Sequence, residues 1–153
     1  MNLLSPSPVP ESARDTKAAA REFAAEHVRP NSQAYDAAAE YPLDIIREAQ
    51  AAGLAGSYVP EEYGGAGWTL ADRLAVVEEW FRADGGIGLA LQLVDFGAKV
   101  VAMAGSEEQQ ARWLPAVAAG DEITGLAATE PSGGSDLAGM TTTARREGEE
   151  YVI

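Results

Sequence analysis

A chain of 153 residues with 46% hydrophobic and 23% charged residues has the make-up of a globular protein of about one domain. Its 24 acidic against 11 basic side chains, net −13, exclude the clustered cations that nucleic-acid phosphates require, so no nucleic-acid partner is expected. With no cysteine and a single histidine, disulfides, thiolate metal sites, Cys nucleophiles and His-rich centres are excluded, and no Asp/Glu cluster has the spacing of a metal-binding loop.

The first residues, "MNLLSPSPVPES", lack a basic start and a long apolar core, so they do not read as a signal peptide. Pro6, Pro8 and Pro10 make them an extended lead-in. No uncharged apolar run is long enough to span a bilayer, and a cytoplasmic protein is expected. Lys17 and Lys99 are the only lysines; with the acidic surplus this fits a salt-rich cytoplasm, and a GC-biased genome accounts for it equally.

Ser12 to Val28 reads as a helix with Ala20, Phe23 and His27 on one face, stopped by Pro30. His27 is read as facing the carbonyls at the helix end, not as a base. After a polar link, Tyr41–Leu54 predicts a second helix with Leu43, Ile46 and Gln50 on one side and Gly53 as its stop. The Gly/Pro-rich segment Ala55–Trp68 reads as a wrapped connector whose Tyr58, Tyr63 and Trp68 pack on the helices.

Thr69 with Asp72 forms a capping box for a helix with Leu70, Leu74, Val77 and Phe81 on its apolar side. After Asp84-Gly85-Gly86, Ile87–Ala104 is apolar nearly all round, which predicts the innermost helix of the bundle. Its polar residues Gln92, Asp95 and Lys99 fall on one stripe that faces water or a cleft. Ser106 and Gln109 form another capping box, opening a helix with Trp113, Leu114 and Val117 inward and a bend at Pro115.

From Glu122 the period changes. Ile123–Thr129, Met140–Arg146 and Tyr151–Ile153 read as strands, with a turn at Glu147–Glu150. The fold class expected is therefore mainly α: an up-and-down helical bundle over residues 1–121, then the first strands of a β-barrel domain over 122–153. So few strands have few partners, and the chain reads as a fragment.

Between two of those strands stands "TEPSGGSD", Thr129–Asp136. Glycines and small hydroxyls after a strand turn backbone N–H groups toward one point, an arrangement that suits phosphate oxygens. Glu130 and Asp136 would repel a phosphate, so they are expected to point away and pin the loop. Alone, this pattern fits a plain turn equally well.

The octapeptide resembles the "TEPxAGSD" signature of the acyl-CoA dehydrogenase family of flavoproteins. "REFAAEHVRP", "VPEEYGGAG", "GSEEQQARWLPAVAAGDEITG" and "TTTARREGEEYVI" are similar to family segments in family order, covering Ala13 to Ile153. The resemblance implies an N-terminal helical domain and the start of a middle β-barrel, with the family's C-terminal helical domain absent. It implies FAD, lined by Leu126, Ala128, Thr129, Gly133, Gly134 and Ser135, with Ser135 also near the acyl-CoA thioester. Leu89, Gln92 and Phe96 would be walls of the acyl cavity. Leu126 stands where the family commonly has an aromatic, and Ser132-Gly133 replace the usual Gly-Ala.

The activity implied is α,β-dehydrogenation of an acyl-CoA, with electrons passed to an electron-transfer flavoprotein by a homo-oligomeric enzyme. The family's carboxylate base lies far downstream, so no catalytic residue is assigned within this chain. Two other readings stay open: a related flavin monooxygenase or nitroalkane-oxidase-like enzyme, and a non-catalytic helical binding or scaffold module.

Overall fold

The computed structural model describes residues 9–153, so the lead-in up to Pro8 lies outside the described residues. The first helical stretch runs from a 3-10 turn at Glu11–Ala13 through α1 (Arg14–Phe23) into a wider π turn, Ala24–Val28. Ala20, Phe23, Ala24 and Val28 are buried along one side. His27 departs from its expected place. Its ring stacks on Phe23 and its Nδ1 lies 2.7 Å from the Glu48 carboxylate, so a neighbouring helix holds it and not its own carbonyls.

A short helix, α2 (Ser32–Ala38), forms where only a polar link is expected, and α3 (Leu43–Ala51) follows it. The buried side of α3 is Ile45, Ile46, Ala49 and Gln50, while Leu43 is partly exposed. Tyr63 and Trp68 of the connector pack on the two apolar clusters, as the sequence suggests.

The capping box of α4 (Leu70–Ala83) is formed: Asp72 N–H donates to Thr69 Oγ1, and Thr69 N–H donates to the Asp72 carboxylate at 2.9 Å. The face that α4 buries is rotated from the expected one, and of the four residues expected inside only Val77 packs on the core. Asp72, Ala75, Val76, Glu79 and Trp80 are inside, whereas Leu70 is 70% and Leu74 60% exposed, and Phe81 is exposed too. Val76 and Trp80 supply the apolar part of that face in the main core, and a paired carboxylate lies beside them. Glu79, 2% exposed, accepts from Arg21 Nε at 3.1 Å and Nη2 at 3.0 Å, and Lys17 Nζ lies 3.5 Å away. The Arg21 hydrogen bonds hold its carboxyl below the usual range. A carboxylate paired in this way is compatible with burial against α1, and hydrophobic periodicity does not register it.

The long apolar segment is two helices, α5 (Gly85–Leu93) and α6 (Phe96–Ala104), broken at Val94-Asp95. Ile87, Gly88 and Leu91 of α5 are buried in the main core with α1, α3 and α4. In α6 only Ala98 is buried, and Met103 is 77% exposed, so the expected innermost helix is innermost only in its first half. The capping box of α7 (Glu107–Ala119) is also formed, and Pro115 lies within the helix. Leu114 and Val117 join Val59 and Ala98 in a second cluster. Trp113 does not face inward; it is 47% exposed with the Arg112 guanidinium 4.6 Å from its ring centroid.

The β part is one antiparallel hairpin, β1 (Arg145–Glu147) with β2 (Glu150–Val152), in register Arg145↔Val152, Arg146↔Tyr151 and Glu147↔Glu150. Ile123–Thr129 and Met140–Ala144, expected as strands, form no ladder. A strand exists only as a pair, and these segments have no neighbouring strand beside them. The molecule is thus mainly α with the opening of a β region. Among the described residues, no helix is long and apolar enough to cross a membrane.

These burial patterns set an order of amide exchange. Ile87–Leu91 should exchange with deuterium more slowly than Val100–Ala104, because opening α5 disrupts the main core and opening α6 does not. Mass-spectrometric or NMR exchange giving the reverse order would contradict this packing.

Candidate functional site

The site starts at the break between α5 and α6. Leaving α7, the chain returns so that Thr124 N–H donates to Val94 C=O at 2.8 Å and Thr124 Oγ1 accepts from Ala98 N–H at 3.0 Å. Thr124 thereby forms a one-residue parallel bridge with Asp95. The Asp95 carboxylate, 1% exposed, accepts from Tyr58 N–H at 2.6 Å and so ties the connector to the same point. Burial pushes the Asp95 carboxyl up, against the opposing pull of that N–H and of Arg73. Gly97 is required here: a Cβ would lie 2.5 Å from Gly125 C=O.

Five residues beyond Thr124 the signature loop begins. Glu130 and Gly133 exchange N–H···O=C bonds, both 3.0 Å, closing a tight turn over Pro131-Ser132. Glu130 points inward to the following segment. Its carboxylate accepts from Thr141 N–H at 3.0 Å, Thr141 Oγ1 at 3.0 Å, Thr142 N–H at 2.6 Å and Ser132 Oγ at 3.3 Å. The Thr142 side chain and the Thr141 and Thr142 amides hold this carboxyl down at about 2. So anchored, it is a clasp and a very weak base. Asp136 accepts from Gly139 N–H at 3.2 Å and caps the 3-10 turn Leu137–Gly139. Both carboxylates therefore pin the loop, as the sequence suggests.

The loop's donors are fewer than the sequence implies. Gly133 N–H is used in the turn and Ser132 Oγ on Glu130, so the expected cradle over 132–135 loses two of its members. The Gly134 and Ser135 N–H groups and the Ser135 hydroxyl have no protein partner among the described residues. Gly134 lies against Thr129, where a Cβ would be 2.8 Å from Thr129 Oγ1. Thr129 and Ser135 are exposed, Ala128 is half-buried, and Leu126 is 48% exposed.

The three expected acyl-wall residues do not share one cavity. Leu89 lines a largely apolar groove of about 720 Å³ between the α2–α3 connection and α5, with Tyr41, Leu93 and Ile123. Gln92 lines a separate cavity of about 80 Å³ between α4 and α5. Phe96, beyond the break, meets the Tyr58 ring edge-on at 6.4 Å. The break at Asp95 turns α6 away, so helical spacing carried across it misplaces Phe96. Sequence reasoning also missed Arg73, whose cation sits 4.2 Å from the Tyr58 ring centroid, with the Lys99 cation 4.9 Å from the same ring. The only trace of that cluster in the sequence is Lys99 on the polar stripe.

Residues 10–121 match the family described as acyl-CoA dehydrogenase, N-terminal domain. A probable medium-chain specific acyl-CoA dehydrogenase 2 of Caenorhabditis briggsae, mitochondrial, is 36% identical over 143 residues, covering 94% of this chain and 35% of its own length. The fold is similar to a chain solved in a study of the electron transferring flavoprotein of Acidaminococcus fermentans, with TM-score 0.83, 32% identity, and 95% of this chain and 38% of that one covered. It is also similar to a glutaryl-CoA dehydrogenase of Mycobacterium smegmatis in complex with FADH2, with TM-score 0.78, 31% identity, and 92% and 36% covered. The chain thus spans about a third of the length of these relatives.

Two outcomes test the site's construction. Gly97→Ala should cost about 1–3 kcal/mol in urea unfolding, since its Cβ meets backbone and cannot be accommodated by a rotamer change; a neutral substitution would mean that the Thr124 junction is loose. For Glu130, a folded-state pKa below the ordinary carboxylate value means that the clasp contributes in full above about pH 4.5 and is lost as pH falls through about 2. The Thr141 and Thr142 amide resonances should titrate with a midpoint near 2, and a midpoint near 4.5 would show that the clasp is not formed.

Proposed function

The chain belongs to the acyl-CoA dehydrogenase family, and on that premise we propose that it contributes the helical domain and the flavin-facing loop of an FAD-dependent acyl-CoA dehydrogenase. The division proposed is a helical domain over residues 1–121 and the start of a β domain over 122–153; the family match over 10–121 supports it. The observation that carries the reading is the state of the Thr129–Asp136 loop. Its two carboxylates are turned to the backbone that follows the loop, while Thr129, the Ser135 hydroxyl and the Gly134 and Ser135 N–H groups stay open. A loop that binds anionic or carbonyl oxygens needs its acids sequestered and its donors free.

That donor set fits FAD, which supplies hydride acceptance when bound. In this reading Ser135 and the Gly134 N–H would meet its pyrophosphate, with Gly133 leaving the approach clear. Leu126, Ala128 and Thr129 would border the ring system, Thr129 offering its hydroxyl to a ring carbonyl or nitrogen. The work of this chain is orientation: Glu130 fixes the loop to Thr141–Thr142, and the Asp95–Thr124 junction fixes the segment leading into it.

Ser135 would also lie near the acyl thioester, and Leu89 and Gln92 would border the acyl chain from α5. Phe96, on α6, would act only at the far edge, through its contact with Tyr58. An electron-transfer flavoprotein as electron acceptor, and assembly into a homo-oligomer, complete the proposal; the first is supported by the similarity to the Acidaminococcus fermentans chain. Since the chain spans about a third of its relatives, these activities are proposed for a protein that contains it.

Ser135→Ala and Thr129→Val in such a protein should each weaken FAD by about 5- to 150-fold, the effect of one lost hydrogen bond from a desolvated group. Equilibrium dialysis measures it, and unchanged affinity in both variants would sink the assignment. The 153-residue chain alone should bind FAD more weakly than about 100 μM, because a few loop donors hardly offset the lost freedom of the ligand.

A further inference from the structure

The small cavity between α4 and α5 is built unlike the packing around it. Its lining includes Trp80, Arg73, Gln92, Asp95, Val76 and Leu91, and it reaches the surface beside the exposed side chains of Leu70 and Leu74. Trp80 is 3% exposed, yet its indole N–H has no hydrogen-bond partner among the described residues. The Nε–H of Arg73 is equally buried and equally unpartnered. Buried polar groups are nearly always paired, so two orphaned donors lining one cavity call for an acceptor between them.

The chemistry of that acceptor is constrained by the rest of the wall. The Arg73 guanidinium already stacks on Tyr58 and faces the buried Asp95 carboxylate in the same lining. A carboxylate or phosphate brought in here would sit beside Asp95 with no second cation in the wall, a like-charge contact in a low-dielectric space. A hydroxyl meets every demand: its oxygen accepts from Trp80 and Arg73, and its proton is available to Asp95 or to the Gln92 carbonyl. The volume, about 80 Å³, admits a small terminal group and not a chain.

We propose that this cavity is a binding site for a small neutral hydroxyl-bearing group, with Trp80 and Arg73 as its donors. Gln92 is at once a member of its wall and one of the residues assigned to the acyl border.

The site can be tested on the chain itself with ethanol, ethanethiol and acetate as probes. They are similar in size and differ in hydrogen bonding and charge. Followed by NMR, ethanol should shift the Trp80 indole N–H saturably and bind at least about fivefold more tightly than ethanethiol, the effect of one hydrogen bond to a buried donor. Acetate should bind more weakly still. In Trp80→Phe and Arg73→Leu, followed through the Leu91 methyls, the preference for ethanol over ethanethiol should disappear while the helical circular dichroism is retained. Equal binding of alcohol and thiol, tighter binding of acetate, or no response of Trp80 to any probe would overturn the proposal and leave a hydrated packing defect. None of these readouts uses flavin or turnover, so their failure would leave the dehydrogenase reading standing.

Discussion

One backbone junction governs how the rest of the molecule is arranged: Thr124 seated against Val94, Asp95 and Ala98. It ends α5, starts α6, holds the connector through Tyr58 N–H and directs the chain into the signature loop. A helix break leaves carbonyls and N–H groups without intrahelical partners. Here the returning segment supplies partners through Thr124, whose N–H donates to Val94 C=O and whose Oγ1 accepts from Ala98 N–H, so these groups at the break are satisfied. Gly97 is what lets the two backbones approach. Packing, loop position and the separation of the two cavities all follow from that contact.

A chain with net charge −13 has an obvious use for carboxylates in solvent, yet several are committed to contacts within the molecule. Glu79 joins α4 to α1 through Arg21, Asp95 joins the connector to the α5–α6 break, and Glu130 joins the loop to Thr141–Thr142. Each accepts hydrogen bonds from groups distant in sequence, which is how an acidic residue becomes a cross-link. Their environments differ. Glu79 has a cation and Glu130 has amides and hydroxyls, so both stay ionised readily, while burial works against ionisation of Asp95. The loop depends on this use of acids, since Glu130 turned outward would repel the anions it is proposed to meet.

The exposed apolar side chains of the helices have a place in the same picture. Leu70, Leu74 and Phe81 on α4, Leu89 and Leu93 on α5, and Val100 and Met103 on α6 are all outside. Where such side chains are contiguous, they mark an interaction site more often than a bare solvent face. On the reading proposed, acyl chain, flavin and the further length that the relatives possess would cover it, and the short hairpin β1–β2 would gain its missing neighbours.

By itself the sequence determined the helical class, both capping boxes, the inward placing of Phe23, Ile46 and Leu114, and the pinning of the loop by Glu130 and Asp136. Those features are local: spacing along a helix, a side chain reaching its own N-terminus, or an acid that has to avoid an anion. It also carried the family through "TEPSGGSD", because a loop motif is contiguous. Only the tertiary structure decided which face of α4 is buried, where the apolar segment breaks, that Trp113 and Met103 lie outside, and that Leu89, Gln92 and Phe96 are parted. The α4 face and the break depend on partners far along the chain — Arg21 for Glu79, Thr124 for Val94, Tyr58 for Asp95 — and hydrophobic periodicity holds no information about such pairings.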